Sequence, residues 1–198
     1  MKATNLLLGL APWILFTVIA GHVGTNAVGY AALAAFLGSL ALAIRGARST
    51  GVNVVDAAGV VTFGVLTVVG LTASHHVQQL LVDYGRGGAA LVLATVMLVS
   101  AFTVPFTEQF ARPQVDPRYW GSPVFRAVNR RISLLWAGLI YAMAVCHMTS
   151  GYLSDHGENP RNLLLNWVVP VLVILVGLKQ TERIAEARRV TSAEGGAA

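Results

Sequence analysis

The side chains with the most ligating capacity in this 198-residue chain are five histidines, and they share one kind of location. His22 follows the first apolar run, His75 and His76 follow the third, His147 lies late in the fifth, and His156 stands in the gap before the sixth. Neutral imidazole is a good ligand for metal ions and haem iron. If the ends of runs one, three and five face each other, His22, His75, His76 and His147 form a candidate metal or haem site. Their spacings match no metal-binding motif, and histidine is also tolerated at a membrane interface without any ligand.

A second candidate group is polar rather than ligating. Asp56 is the one acid inside an apolar run, Tyr141 lies in the fifth run, and Asn166 lies in the sixth, four residues before Pro170. Ionisable and polar residues inside a membrane are costly and mark pathways or sites. Asp56, Tyr141 and Asn166 therefore make a candidate cavity. Asp56 also suits a plainer role, as a first-turn acid complementing a helix dipole. The single cysteine, Cys146, excludes an intramolecular disulfide and any Cys-based cluster. There is no phosphate-binding glycine loop, nucleophile elbow or His-Glu-x-x-His pattern, so no catalytic residues are assigned.

The elements that must position these groups are six apolar segments: 5–21, 28–44, 54–73, 89–105, 132–153 and 163–178. Each approaches the roughly 20 residues needed to cross a bilayer. Each must be helical, because backbone polar groups in hydrocarbon have to pair within their own segment. The first run reads as a retained span rather than a signal peptide. Composition agrees: 55% of residues are hydrophobic and only 12% charged, with a mean hydropathy of +0.64. A soluble domain carries about 25% charged residues. Of the fourteen Lys and Arg, twelve fall in alternate gaps and at the two ends, leaving only Arg86 and Arg161 in the others. Cytoplasmic loops retain Lys and Arg, so the expected topology is six spans with both ends inside. The fold class expected is an all-α polytopic six-helix bundle over residues 1–178, followed by a cytoplasmic tail, 179–198. All five histidines then lie on the outer side.

A pI near 9.9 would suggest a nucleic-acid partner in a soluble domain. Here the basic residues sit in short loops beside apolar spans, where topology and anionic lipid explain them, so no nucleic acid is expected. The most distinctive loop is 106–131, which with Pro105 holds four prolines, together with five arginines and the rings Phe106, Phe110, Tyr119, Trp120 and Phe125. It reads as an elbow at the cytoplasmic head-group level, with Glu108, Arg112, Trp120, Arg126, Arg130 and Arg131 as a candidate partner or lipid contact. From Ser122-Pro123 a helix start is expected, running on into the fifth span. The outer stretch 74–88, with Val77, Leu80, Leu81 and Tyr84, reads as a short amphipathic helix lying at the interface. Small residues predict close packing at Ala34 with Gly38 and at Gly138 with Ala142. The third segment, rich in glycine and alanine, is the expected centre of the bundle. The tail continues the sixth helix and becomes disordered from Thr191.

Three stretches carry a family resemblance: Pro105-Phe106-Thr107-Glu108-Gln109-Phe110-Ala111-Arg112, Trp120-Gly121-Ser122-Pro123-Val124-Phe125, and Asn129-Arg130-Arg131 with Trp136. With Val61-Thr62-Phe63-Gly64 in the third helix, this layout is similar to small bacterial membrane proteins of the intracellular septation protein A group. The resemblance implies a bacterial inner-membrane location and envelope association, and carries over no catalytic residue. The leading expectation is an envelope scaffold or partner subunit, held by membrane lipid and by another membrane or envelope protein or a second copy of itself. Two alternatives stand beside it: a small-molecule, lipid or ion pathway, and a haem or metal redox protein. No cofactor is expected under the first two.

Overall fold

The computed structural model describes residues 3–22, 27–49, 51–155 and 164–194. The described residues are almost all helical, with no strand among them. Its helices are α1 (Ala3–Ala20), α2 (Val28–Ala47), α3 (Val54–Thr72), α4 (His75–Phe102), α5 (Phe106–Ala111), α6 (Pro123–Asp155) and α7 (Val169–Glu194). A π-helical turn, Leu164–Val168, leads into α7. Among the described residues five helices are long and apolar enough to cross a membrane: α2, α3, α4, α6 and α7 with its π turn. The apolar part of α1, Leu6–Ala20, is shorter. The fold is thus that of an all-α, multi-pass membrane protein. Apolar side chains point outward where lipid would lie, as at Val61, Val65 and Val68 of α3 and Val145 of α6.

Glycine sets the closest helix contacts. A methyl group on Gly70 would lie 2.7 Å from Gly29 Cα, and one on Gly59 would strike Ser39 Oγ. Gly29 with Gly70 and Ser39 with Gly59 run in opposite directions along the two chains, so α2 and α3 are antiparallel. Gly87 against Met148 and Gly151 against the Asp83 backbone do the same for α4 and α6. Without a hydrophobic drive between helices in lipid, such backbone proximity supplies the dispersion contact that holds them. The core lies where α1 crosses these pairs: Leu6, Leu10, Trp13 and Phe16 meet Phe63, Leu93, Met97, Trp136 and Ile140. Trp13 and Phe16 both pack on Phe63, with ring centroids 4.7 and 5.2 Å away.

Several sequence expectations change here. The centre is α1 with α4 and α6, not the third helix. The glycines of α3 serve one face against α2, and its opposite valine face is open. Gly138 and Ala142 are exposed, so that pair packs nothing within the described chain. The stretch 74–88 is no separate interfacial helix, because α4 runs unbroken for 28 residues from His75, about 42 Å at 1.5 Å per residue. Its small residues Gly85, Gly87 and Ala89 are buried and let that N-terminal extension lie along the bundle. At the other end α7 is helical to Glu194, and residues 195–198 of the expected disordered segment lie outside the described residues. The tail continues the last helix, as expected, and Thr181 just past the 178/179 boundary is buried and accepts a hydrogen bond from Trp136 Nε1 at 3.0 Å. The helix start at Pro123 agrees with the expectation.

The elbow is more buried than its composition suggests. Its first part, α5, is tucked under the bundle, with Phe106, Thr107 and Glu108 at most 2% exposed. Thr107 Oγ1 donates to Asn129 O at 2.8 Å and lies 2.9 Å from Ser133 Oγ, tying α5 to α6. Gln109 Oε1 accepts from the Val54 backbone N–H at 2.9 Å and so satisfies a free donor at the start of α3. Phe110 fills the space that Gly9 leaves on α1. The remainder of the elbow, with two short 3-10 turns at Arg112–Gln114 and Pro117–Tyr119, lies at the surface.

Candidate functional site

The polar groups that the fold draws together are His147 and Asn166. His147 stands on α6, two turns before its end, and is 2% exposed. Asn166 stands in the π turn before α7, and is 5% exposed. A π turn shifts side chains out of α-helical register and recurs at functional positions. Here Asn166 Oδ1 lies 2.9 Å from His147 Nδ1, and Asn166 Nδ2 donates to Ser150 Oγ at 2.6 Å. His147 Nε2 is buried and has no hydrogen-bond partner among the described residues.

These two residues form the polar end of a cavity of about 210 Å³ between α1, α4, α6 and α7. Its walls are almost wholly apolar: Leu10, Leu93, Ile140 and Ile174, with Trp13, Trp136 and Trp167. Ile14 and Val18 of α1 and Val171 of α7 also line it and are exposed, which places an opening on the lipid-facing side between those helices. Near this end of the cavity the Arg86 guanidinium and the Trp167 ring both approach Gly21. His22 packs its ring on Trp167, with centroids 5.2 Å apart, and its Nδ1 lies 2.8 Å from Val18 O. An apolar cavity with a few convergent polar groups is the usual form of a small-molecule site.

Of the candidate cavity residues, Asn166 is at this site and the other two are not. Asp56 is buried at the start of α3, where Oδ2 accepts from Asn53 Nδ2 at 2.9 Å and Oδ1 has no partner among the described residues. Tyr141 pairs with Thr95 at 2.9 Å on the outside of the α4–α6 pair. Of the candidate metal ligands, His147 alone lines the cavity, and His75 and His76 are exposed at the start of α4. Among the described residues no three His, Cys, Asp or Glu side chains come together to hold a metal ion. His156 and Arg161 lie outside the described residues.

The elbow candidates divide in the same way. Glu108 faces inward and is held by Arg112 at 2.7 Å, so this pair joins α5 to the surface layer. Arg112 also lies over the Trp120 ring at 5.5 Å, and Arg130 over Phe102 at 4.9 Å. Arg126, Arg130 and Arg131 are exposed along the start of α6. Sequence reasoning did not find Ser150, Arg86 or the tryptophans of the cavity wall. The signal it held was Asn166, an amide inside an apolar span. No family model, curated protein or solved structure matches this chain.

Proposed function

We propose that this chain is a bacterial inner-membrane protein of six spans, both ends cytoplasmic, that receives one apolar, lipid-derived molecule in the cavity at His147 and Asn166. The observation that carries this reading is the buried, unpartnered Nε2 of His147 at the end of an apolar cavity that opens toward lipid. A buried polar atom without a partner costs about 1–3 kcal/mol, and a bound ligand can recover it. The charge asymmetry supports the orientation, and reporter fusions at the two termini should both report from the cytoplasm.

Three of the four tryptophans line the cavity, which makes it visible by fluorescence. In the full chain in detergent, a brominated long-chain alkane should quench Trp13, Trp136 and Trp167 saturably. Ala90→Phe, which fills the cavity from α4, should remove the saturable part. Quenching that rises linearly with probe, or that is equal in the filled variant, rules out an enclosed site.

The scaffold reading, with envelope association and the layout similar to the septation protein A group, retains one favourable observation. Beyond the buried α5, the elbow presents Arg118, Tyr119 and Val124 outward together with Arg126, Arg130 and Arg131. Arg112 is occupied with Glu108 and Arg118 with Asp116, so the surface to alter is Arg126, Arg130 and Arg131. Replacing these three with Ala should abolish co-purification of a partner while the bundle stays folded. Unchanged co-purification rules out the elbow as the contact.

A further inference from the structure

We infer that the cavity selects an apolar molecule whose head is a hydroxyl group, with the hydroxyl donating to His147 Nε2. This rests on the cavity reading above. It follows from which atoms of the Ser150–Asn166–His147 chain can donate. Asn166 Nδ2 can only donate, and it lies 2.6 Å from Ser150 Oγ, which accepts. The amide is then oriented with Oδ1 toward His147. Oδ1 can only accept, so Nδ1, 2.9 Å away, carries the proton. In neutral imidazole the remaining nitrogen, Nε2, is a lone-pair acceptor.

A ketone or an ether brings a second lone pair against Nε2 and leaves it unsatisfied. A hydroxyl brings the missing donor, while the apolar remainder of the molecule meets Leu10, Leu93, Ile140 and Ile174. Sites built around a buried polar group discriminate strongly against an analogue lacking its partner. The ligand class is therefore a long-chain or isoprenoid alcohol, or an alkylated phenol. Entry from the bilayer between α1 and α7 suits such a molecule, since it would already be dissolved in lipid.

The test uses the full chain in detergent, saturated with the brominated alkane, and measures the recovery of tryptophan fluorescence by four competitors. These are 4-octylphenol, its methyl ether, the corresponding methyl ketone and 4-octylbenzoate. The phenol should displace the probe at a concentration about tenfold lower than the ether or ketone, the size expected from one buried hydrogen bond. His147→Leu should bring phenol and ether to equal potency while the brominated alkane still quenches. The wild-type competitor series decides the matter even if that variant does not fold. Equal potency of phenol and ether in the wild type overturns the head-group assignment and leaves the cavity reading standing. Greater potency of the ketone overturns it by making Nε2 the donor. Greater potency of the benzoate, lost in Arg86→Gln, overturns it in favour of a carboxylate held by Arg86. If the alkane itself fails to quench saturably, the cavity reading falls and takes this inference with it.

Discussion

His147 Nδ1 and Asn166 Oδ1 lie 2.9 Å apart, joining the C-terminal end of α6 to the π turn that leads into α7. Nineteen residues separate them in sequence, and the bond is buried. It holds the entry to α7 and also aims the one unpartnered imidazole nitrogen. Asn166→Leu should lower the unfolding midpoint in mixed micelles by the equivalent of about 0.5–2 kcal/mol, the range of interhelical hydrogen bonds in membranes. An unchanged midpoint would mean that the pair contributes nothing to stability.

The Thr107 hydroxyl ties buried α5 to two residues of α6, beside a longer bond from the Thr107 backbone N–H to Ser133 Oγ at 3.4 Å. Thr107→Val keeps the shape and removes both hydroxyl bonds. Amide hydrogen exchange across Phe106–Ala111 should accelerate, while exchange in the centre of α4 should not. Uniform acceleration through the bundle would show that α5 does not open independently.

Glu108 and Arg112 differ in burial, with side chains 3% and 41% exposed. Removing the arginine alone leaves a buried carboxylate without its partner. Arg112→Leu should therefore destabilise more than the double change Glu108→Leu with Arg112→Leu. A thermal unfolding series in detergent measures the order. If the double variant is the less stable, the pair is held for packing rather than charge.

Glycine substitutions should separate the two faces of the bundle. Gly70→Ala places a methyl 2.7 Å from Gly29 Cα, forcing α2 and α3 apart at a cost of about 1–3 kcal/mol. Gly138→Ala meets nothing within 4 Å among the described residues. It should be neutral or stabilising by up to about 1 kcal/mol, the ordinary helix preference of Ala over Gly. Equal destabilisation by both would place a contact on the Gly138 face that the isolated chain does not have.

The sequence by itself determined the helices and their membrane character. Apolar runs near span length leave no alternative to helix in hydrocarbon, because every backbone group has to pair within its own segment. The start of α6 at Pro123 was legible for the same local reason, a proline placed where its missing N–H costs nothing. The position of α3 was not legible. Its glycines announce close packing, but only the fold shows that they meet Gly29 and Ser39 on a single face. The elbow was half legible. Prolines and arginines mark a surface turn, yet Phe106, Thr107 and Glu108 are drawn inside, because α5 finds hydrogen-bond partners on α3 and α6.

The candidate site shows the division most clearly. His147 and Asn166 each stood out in the sequence as a polar residue within an apolar span, but in separate groups, one with possible metal ligands and one with Asp56 and Tyr141. Residue type and depth are local properties, and the sequence carries them. Which polar atoms share a cavity depends on helix rotation and on the register of neighbours. Both are set by side-chain packing between segments far apart in the chain, so the tertiary structure alone decided it.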